Sequence, residues 1–149
     1  MYHLISILIG VALAGALALQ GVQYITSSSL ISSRISGVCD AGISSLASSM
    51  GQYRSVNGVY PETATWETEL VPTYLAGLPP SGDGAWVYEK TASGAYVCLL
   101  VSPGSQSAYD GLARSASHLG GAAHVGNSCG LTATEAYAGG DAALTYWLP

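Results

Sequence analysis

The chain has 149 residues, of which 49% are hydrophobic and only 9% are charged, and its formal net charge is −5. This composition excludes an intrinsically disordered chain, because disorder requires low hydrophobicity and high charge. With only four Lys and Arg residues, the chain also lacks the basic patch that binds nucleic-acid phosphates or anionic lipid. The length allows one domain, or one small domain with an appendage.

The charged residues are unevenly distributed, and the N-terminal part of the chain has none. Residues 1–33 contain no Asp, Glu, Lys or Arg, and Arg34 is the first charged residue. Residues 4–25 form an apolar run of roughly the 20 residues that a helix needs to cross a bilayer. A cleaved secretory signal peptide is disfavoured, because no basic residue precedes the run and the run is long for such a signal. We therefore predict an apolar, membrane-spanning segment over residues 1–25 and a globular domain over residues 26–149.

The chain becomes more polar after residue 25, but no proline interrupts it before residue 54. Apolar or small residues recur at steps of three and four and form one stripe of an amphipathic helix: Ile31, Ile35, Val38, Gly42, Leu46, Met50 and Tyr53. Cys39 lies at the edge of this stripe, as a small buried hydrophobic residue would. The pattern predicts a single long helix over about residues 2–54, whose second half packs on one face.

Shorter elements are predicted after the turn at residues 56–61. A short helix over 66–75 would have Thr65 as its N-cap and Glu67 and Glu69 in its first turn. Strands are predicted over 86–89, 95–101, 123–125 and 142–148, and a helix over 107–119 that ends at a Gly-Gly pair. So few strands favour an α+β fold, in which a small antiparallel sheet packs on the C-terminal half of the long helix.

No catalytic or metal-binding pattern appears in the sequence. His118 and His124 lack a third ligand at a defined spacing. The Ser, His and Asp residues are not organised by a nucleophile motif, and Asp83 lies in a Ser-Gly-Asp-Gly stretch that is typical of a turn. We therefore expect a protein that is not an enzyme and that needs no metal or cofactor.

Taken together, the order of these features resembles the type IV pilins and pilin-like subunits. Nearly the whole chain takes part in the resemblance. It rests on the apolar helix that begins at residue 1, its amphipathic continuation, the Asn-Gly-Val-Tyr-Pro turn at 57–61, the Trp…Leu-Val-Pro-Thr-Tyr-Leu…Leu-Pro loop at 66–79 and the Trp-Val-Tyr…Tyr-Val-Cys hairpin at 86–98.

The resemblance implies a structural subunit of an extracellular filament, or fimbrium, that can serve in cell adhesion. A prepilin peptidase would cut before Met1, and the new amine would be methylated. The inner membrane would hold the subunit until the pilus assembly machinery stacks identical copies into a helical homopolymer. The copies would pack through the apolar side chains of Leu4, Ile5, Ile7, Leu8, Val11, Leu13, Leu17 and Leu19.

The chain departs from the family at two positions. The family usually has a glutamate where this sequence has Ile5 and often a proline where it has Val22. In the family, loss of that glutamate is known for tip-located minor subunits and in archaeal-type filaments. Alternatives are therefore a minor pilin or pseudopilin of a secretion or pilus machine, and a monomeric membrane-anchored periplasmic domain. In a filament, His3 and Ser6 would contact the N-terminal amine of a neighbouring copy.

The resemblance also bears on the three cysteines. In pilins a disulfide commonly joins the C-terminal region to the sheet, and extracellular compartments are oxidising. This implies a bridge between Cys98 and Cys129, with Cys39 left as a free buried thiol. Pairing of Cys39 with Cys98 stays open as the alternative.

Overall fold

A computed structural model of the protein describes residues 27–149, and the predicted helix before residue 27 lies outside the described part. The described chain is α+β, as predicted. Its elements are helix α1 (Ser27–Asn57), helix α2 (Trp66–Leu70), strands β1 (Gly84–Thr91) and β2 (Gly94–Val101), helix α3 (Gln106–Leu119), and strands β3 (Ala123–Gly126) and β4 (Ala142–Trp147).

The four strands form one antiparallel sheet in the order β1-β2-β4-β3. In the register of the sheet, Leu99 of β2 lies opposite Leu144 of β4. Because successive side chains of a strand point to opposite faces, odd-numbered residues of β2 and even-numbered residues of β4 share one face. This face carries the main core. All four strands were predicted within a few residues of their ends, including the weaker pair near the C-terminus.

The core lies between this sheet face and the long helix. One cluster joins the first half of α1 to the sheet and α3, through Ile35, Cys39, Ile43, Leu99, Leu112, Val125 and Leu144. A second cluster joins the second half of α1 to the sheet and α2, through Leu46, Met50, Trp66, Leu70, Tyr88, Val97 and Leu148. The amphipathic half of the predicted long helix is therefore packed on the antiparallel sheet, as expected.

The buried face of α1 is rotated from the predicted stripe. Ile31 is 43% exposed, whereas Ser32 and Ser36 are buried and Cys39 lies at the centre of the face with 0% exposure. The cause is helix α3, which packs on this side of α1. A Cβ atom on Gly111 of α3 would lie only 2.6 Å from the Ser32 carbonyl oxygen, so the close contact requires small residues.

The short helix α2 corrects two predictions. It ends at Leu70 rather than at residue 75, because Val71 precedes a proline and is extended, with φ −97° and ψ 132°. Thr65 makes no capping hydrogen bond. Its hydroxyl donates instead to the carboxylate of Glu69.

Helix α3 has a local sequence signal at each end, of which the Gly-Gly stop was predicted and the N-cap was not. It begins one residue before the prediction, because Ser105 is the N-cap and its hydroxyl accepts a hydrogen bond from the Ala108 amide at 3.1 Å. It ends at Gly120, whose φ of 81° favours glycine. Its buried face contains Ala108, Gly111, Leu112 and Ser115.

Candidate interaction surfaces

The residues predicted to drive assembly all precede Ser27. Met1, His3, Ser6 and the apolar set Leu4, Ile5, Ile7, Leu8, Val11, Leu13, Leu17 and Leu19 lie outside the described residues. Within residues 27–149, no helix is long and apolar enough to cross a membrane. The predicted membrane-spanning segment at residues 4–25 therefore stays a prediction.

The disulfide joins Cys98 of β2 to Cys129, with the two Cα atoms 5.8 Å apart. This confirms the pairing that the resemblance implied and excludes the Cys39–Cys98 alternative. The bridge holds residues 127–131 against the sheet face that points away from α1. Two hydrogen bonds fix the same segment, because the Gly130 amide donates to Thr145 Oγ1 at 3.0 Å and Trp147 Nε1 donates to the Leu131 carbonyl at 2.8 Å.

An aromatic pair lies beside the disulfide on this outer face. The rings of Tyr96 and Trp147 meet edge to face, with centroids 5.0 Å apart. The Tyr96 hydroxyl donates a hydrogen bond to the Glu89 carboxylate. Burial and this hydrogen bond raise the pKa of Tyr96 to about 12. The phenol therefore stays protonated over the physiological range, and the pair is a structural contact.

Cys39 is the free cysteine of the chain, and it is buried between α1 and α3. Burial raises the pKa of its thiol to about 12. Because the thiolate is the reactive form and the metal ligand, Cys39 acts as a packing residue at physiological pH.

Polar side chains also connect α1 to α3 on the side of α1 that carries Cys39. The Ser115 hydroxyl donates to the Ser36 carbonyl at 3.1 Å, and the His118 Nδ1 atom lies 3.1 Å from Asp40 Oδ2. His118 thus pairs with an aspartate of α1, while His124 lies on β3. In the part of the chain that the structure describes, no three His, Cys, Asp or Glu residues are placed to bind a metal.

The comparisons with known proteins were negative. No protein-family model, curated protein or solved structure matches this chain.

Two shallow cavities open beside the β1–β2 turn. One encloses about 370 Å³ and is lined in part by Arg54, Tyr60 and Lys90. The other encloses about 350 Å³ and is lined in part by His124 and Trp147. No sequence motif marks this region, because the lining side chains come from segments far apart in the chain and only the tertiary fold brings them together.

Proposed function

We propose that the protein is a structural subunit that polymerises through its hydrophobic N-terminal helix into an extracellular type IV pilus-like filament. One observation carries the proposal. An uncharged apolar run at residues 4–25 continues, without an intervening proline, into the 31-residue helix α1, whose inner face packs on an antiparallel sheet. A helix that is apolar all round must be buried, in a bilayer or among other helices, so one segment suits both the inner membrane and a filament core.

The outward face of α1 suits close approach of neighbouring copies. It carries small residues at steps of three and four, namely Gly37, Ala41, Ser44, Ser48 and Gly51, all exposed. A Cβ atom added to Gly37 or Gly51 would meet nothing within 4 Å. Small residues let helix backbones approach closely, which supports burial of this face among copies.

Shear purification followed by electron microscopy tests the proposal. Cells that produce the wild-type chain should yield helical filaments that contain it. Leu13→Glu should abolish these filaments, because a carboxylate in the middle of an apolar helix costs about 3 kcal/mol even in a membrane. Leu13→Ile, which keeps the side chain apolar, should still form them.

Two readouts separate assembly from folding and from the alternatives. The Cys98–Cys129 bridge should form in both variants, because it lies in the globular domain. Recovery of the wild-type chain only from detergent-solubilised inner membrane would contradict the filament proposal. That result would favour a membrane-anchored monomer. Chain found only at filament tips would favour a minor subunit.

A further inference from the structure

An open groove lies beside helix α2. It encloses about 410 Å³ and is lined by Glu67, Thr68, Val71 and Leu78. Leu78 is a large apolar side chain that stays 39% exposed. The Glu67 carboxylate is exposed and has no hydrogen-bond or ion-pair partner within residues 27–149. The α2 groove, as we call these four residues, therefore presents apolar surface beside an unpaired negative charge.

A surface of complementary chemistry lies on the first half of α1. Ile31 is 43% exposed, and Arg34, about one turn further along the helix, is also exposed. Side chains three residues apart are neighbours on a helix, so these two residues form one surface, which we call the α1 patch. It combines an exposed apolar side chain with a positive charge, as the α2 groove combines one with a negative charge.

Arg34 has no polar partner among the described residues. Arg54, Lys90 and Arg114 each donate a hydrogen bond to another side chain of the domain. Arg34 makes no hydrogen bond or ion pair within residues 27–149. Asp83 lines a small cavity together with Arg34, at a distance too long for an ion pair. The guanidinium of Arg34 therefore keeps its donors for a group outside the domain.

The position of Arg34 on α1 makes such a group necessary in a filament. Arg34 precedes Gly37 and Ala41 by three and seven residues, so it lies at the edge of the exposed small-residue face of α1. Assembly would bury this face among copies. Because burial of an unpaired charge is strongly unfavourable, Arg34 then needs a carboxylate from a neighbouring copy.

The α1 patch cannot reach the α2 groove of its own chain. Helix α2 packs on α1 through Leu46 and Met50, which follow Arg34 by 12 and 16 residues. At 1.5 Å per residue this is roughly 18–24 Å along the helix, more than an arginine side chain spans. A contact between patch and groove therefore joins two copies head to tail. Where the rotation between copies does not close a ring, such a contact builds an open filament.

We propose that the α2 groove of one copy binds the α1 patch of the next copy, with Glu67 pairing with Arg34 and Leu78 packing on Ile31. The inference rests on the proposed filament and adds which surfaces of the globular domain join its copies. One turn of helix in a groove buries less than the roughly 1,200 Å² of a stable interface, so the contact acts together with burial of residues 4–25. For copies with parallel helices, it shifts neighbours by roughly 20 Å along α1.

Disulfide cross-linking in cells that produce the full chain tests the contact. Arg34→Cys/Glu67→Cys should give a ladder of covalent multimers on non-reducing gels after mild oxidation, because each copy carries both halves of the contact. Arg34→Cys/Glu135→Cys, which moves the second cysteine to another exposed acidic position, should give no ladder. The native cysteines do not take part, because one is buried and the other two are bridged.

Charge reversal provides a second, independent measurement. Arg34→Glu and Glu67→Arg should each lower the yield of sheared filaments at least about tenfold, because each places like charges in contact. The double variant Arg34→Glu/Glu67→Arg should restore the yield to within about twofold of the wild type. Arg34→Glu/Asp83→Arg is the matched control and should stay low. All three positions are exposed, so thermal unfolding of the variants should match the wild type.

The outcomes separate this contact from the filament itself. Absence of the ladder overturns the contact, and filaments of the wild-type chain would then still support the proposed function. A ladder from a chain that forms no filaments would instead support the contact and contradict the proposed function. Restoration of the yield by Asp83→Arg but not by Glu67→Arg would also overturn the contact, because Arg34 would then pair with Asp83.

Discussion

Removal of the disulfide tests how the domain is held together on its outer face. The bridge closes a loop with a sequence separation of 31 residues. The loop-closure entropy that such a bridge removes from the unfolded chain corresponds to about 3.5 kcal/mol. The double variant Cys98→Ala/Cys129→Ala should lose this stabilisation. Alanine is the suitable replacement, because Cys98 is fully buried and a serine hydroxyl there would need a hydrogen-bond partner.

The assay is thermal unfolding of the full chain followed by circular dichroism. A loss of about 3.5 kcal/mol should lower the Tm by roughly 10–15 °C for a domain of this size. In the double variant, tryptophan fluorescence should also change at a temperature below the main transition, because Trp147 packs on Tyr96 and its Nε1 donates to the bridged segment.

Cys39→Ala serves as the control, because it removes a cysteine without removing the bridge. Non-reducing peptide mapping of this variant should still recover the Cys98–Cys129 peptide pair. A double variant that unfolds within about 3 °C of the wild type would contradict a stabilising role of the bridge, since that shift corresponds to only about 1 kcal/mol. Loss of the bridge in Cys39→Ala would equally contradict it.

Two further predictions concern the helices. Gly37→Ala should stabilise the protein by about 0.5–1 kcal/mol, because alanine favours a helix and the site is open. Gly111→Ala should instead destabilise it by about 1–3 kcal/mol, because its Cβ would meet the Ser32 carbonyl. Urea unfolding measures both changes in the free energy of unfolding, and changes of the same sign would contradict the α1–α3 packing. Hydrogen bonds from Thr65 and Tyr53 lower the pKa of Glu69, so stability from this carboxylate is present above its ordinary pKa of 4.5 and lost as the pH falls below it. Glu69→Gln should therefore flatten the loss of stability below pH 4.5 in acid titrations, and an unchanged slope would argue against the contact.

Local patterns explain why most elements were predictable. Three signals depend only on residues close together in the chain. They are the three- and four-residue spacing of apolar side chains in α1, the Gly120 stop of α3 and the strand-forming residues of β1 and β2. The Cys98–Cys129 pairing followed from the family resemblance, because spacing alone leaves three possible single bridges.

Tertiary contacts explain what the sequence pattern missed. The buried face of α1 includes Ser32 and Ser36, because α3 packs there through small residues. Hydrophobicity alone predicts that serine side chains lie at the surface. The buried face of α1 is rotated from the predicted stripe because it packs on a helix more than 70 residues later in the chain. Arg54 and Lys90, which line one of the cavities beside the β1–β2 turn, are likewise distant in the chain and come close only after the sheet has packed on α1.

In the proposed filament, residues 4–25 are buried among copies of the same chain. Helical reconstruction of sheared filaments tests it most directly. We expect the filaments to contain this chain, with residues 4–25 helical at the filament axis and the disulfide-bridged domain on the outside. Filaments that lack the chain, or that place residues 4–25 at the surface, would contradict it.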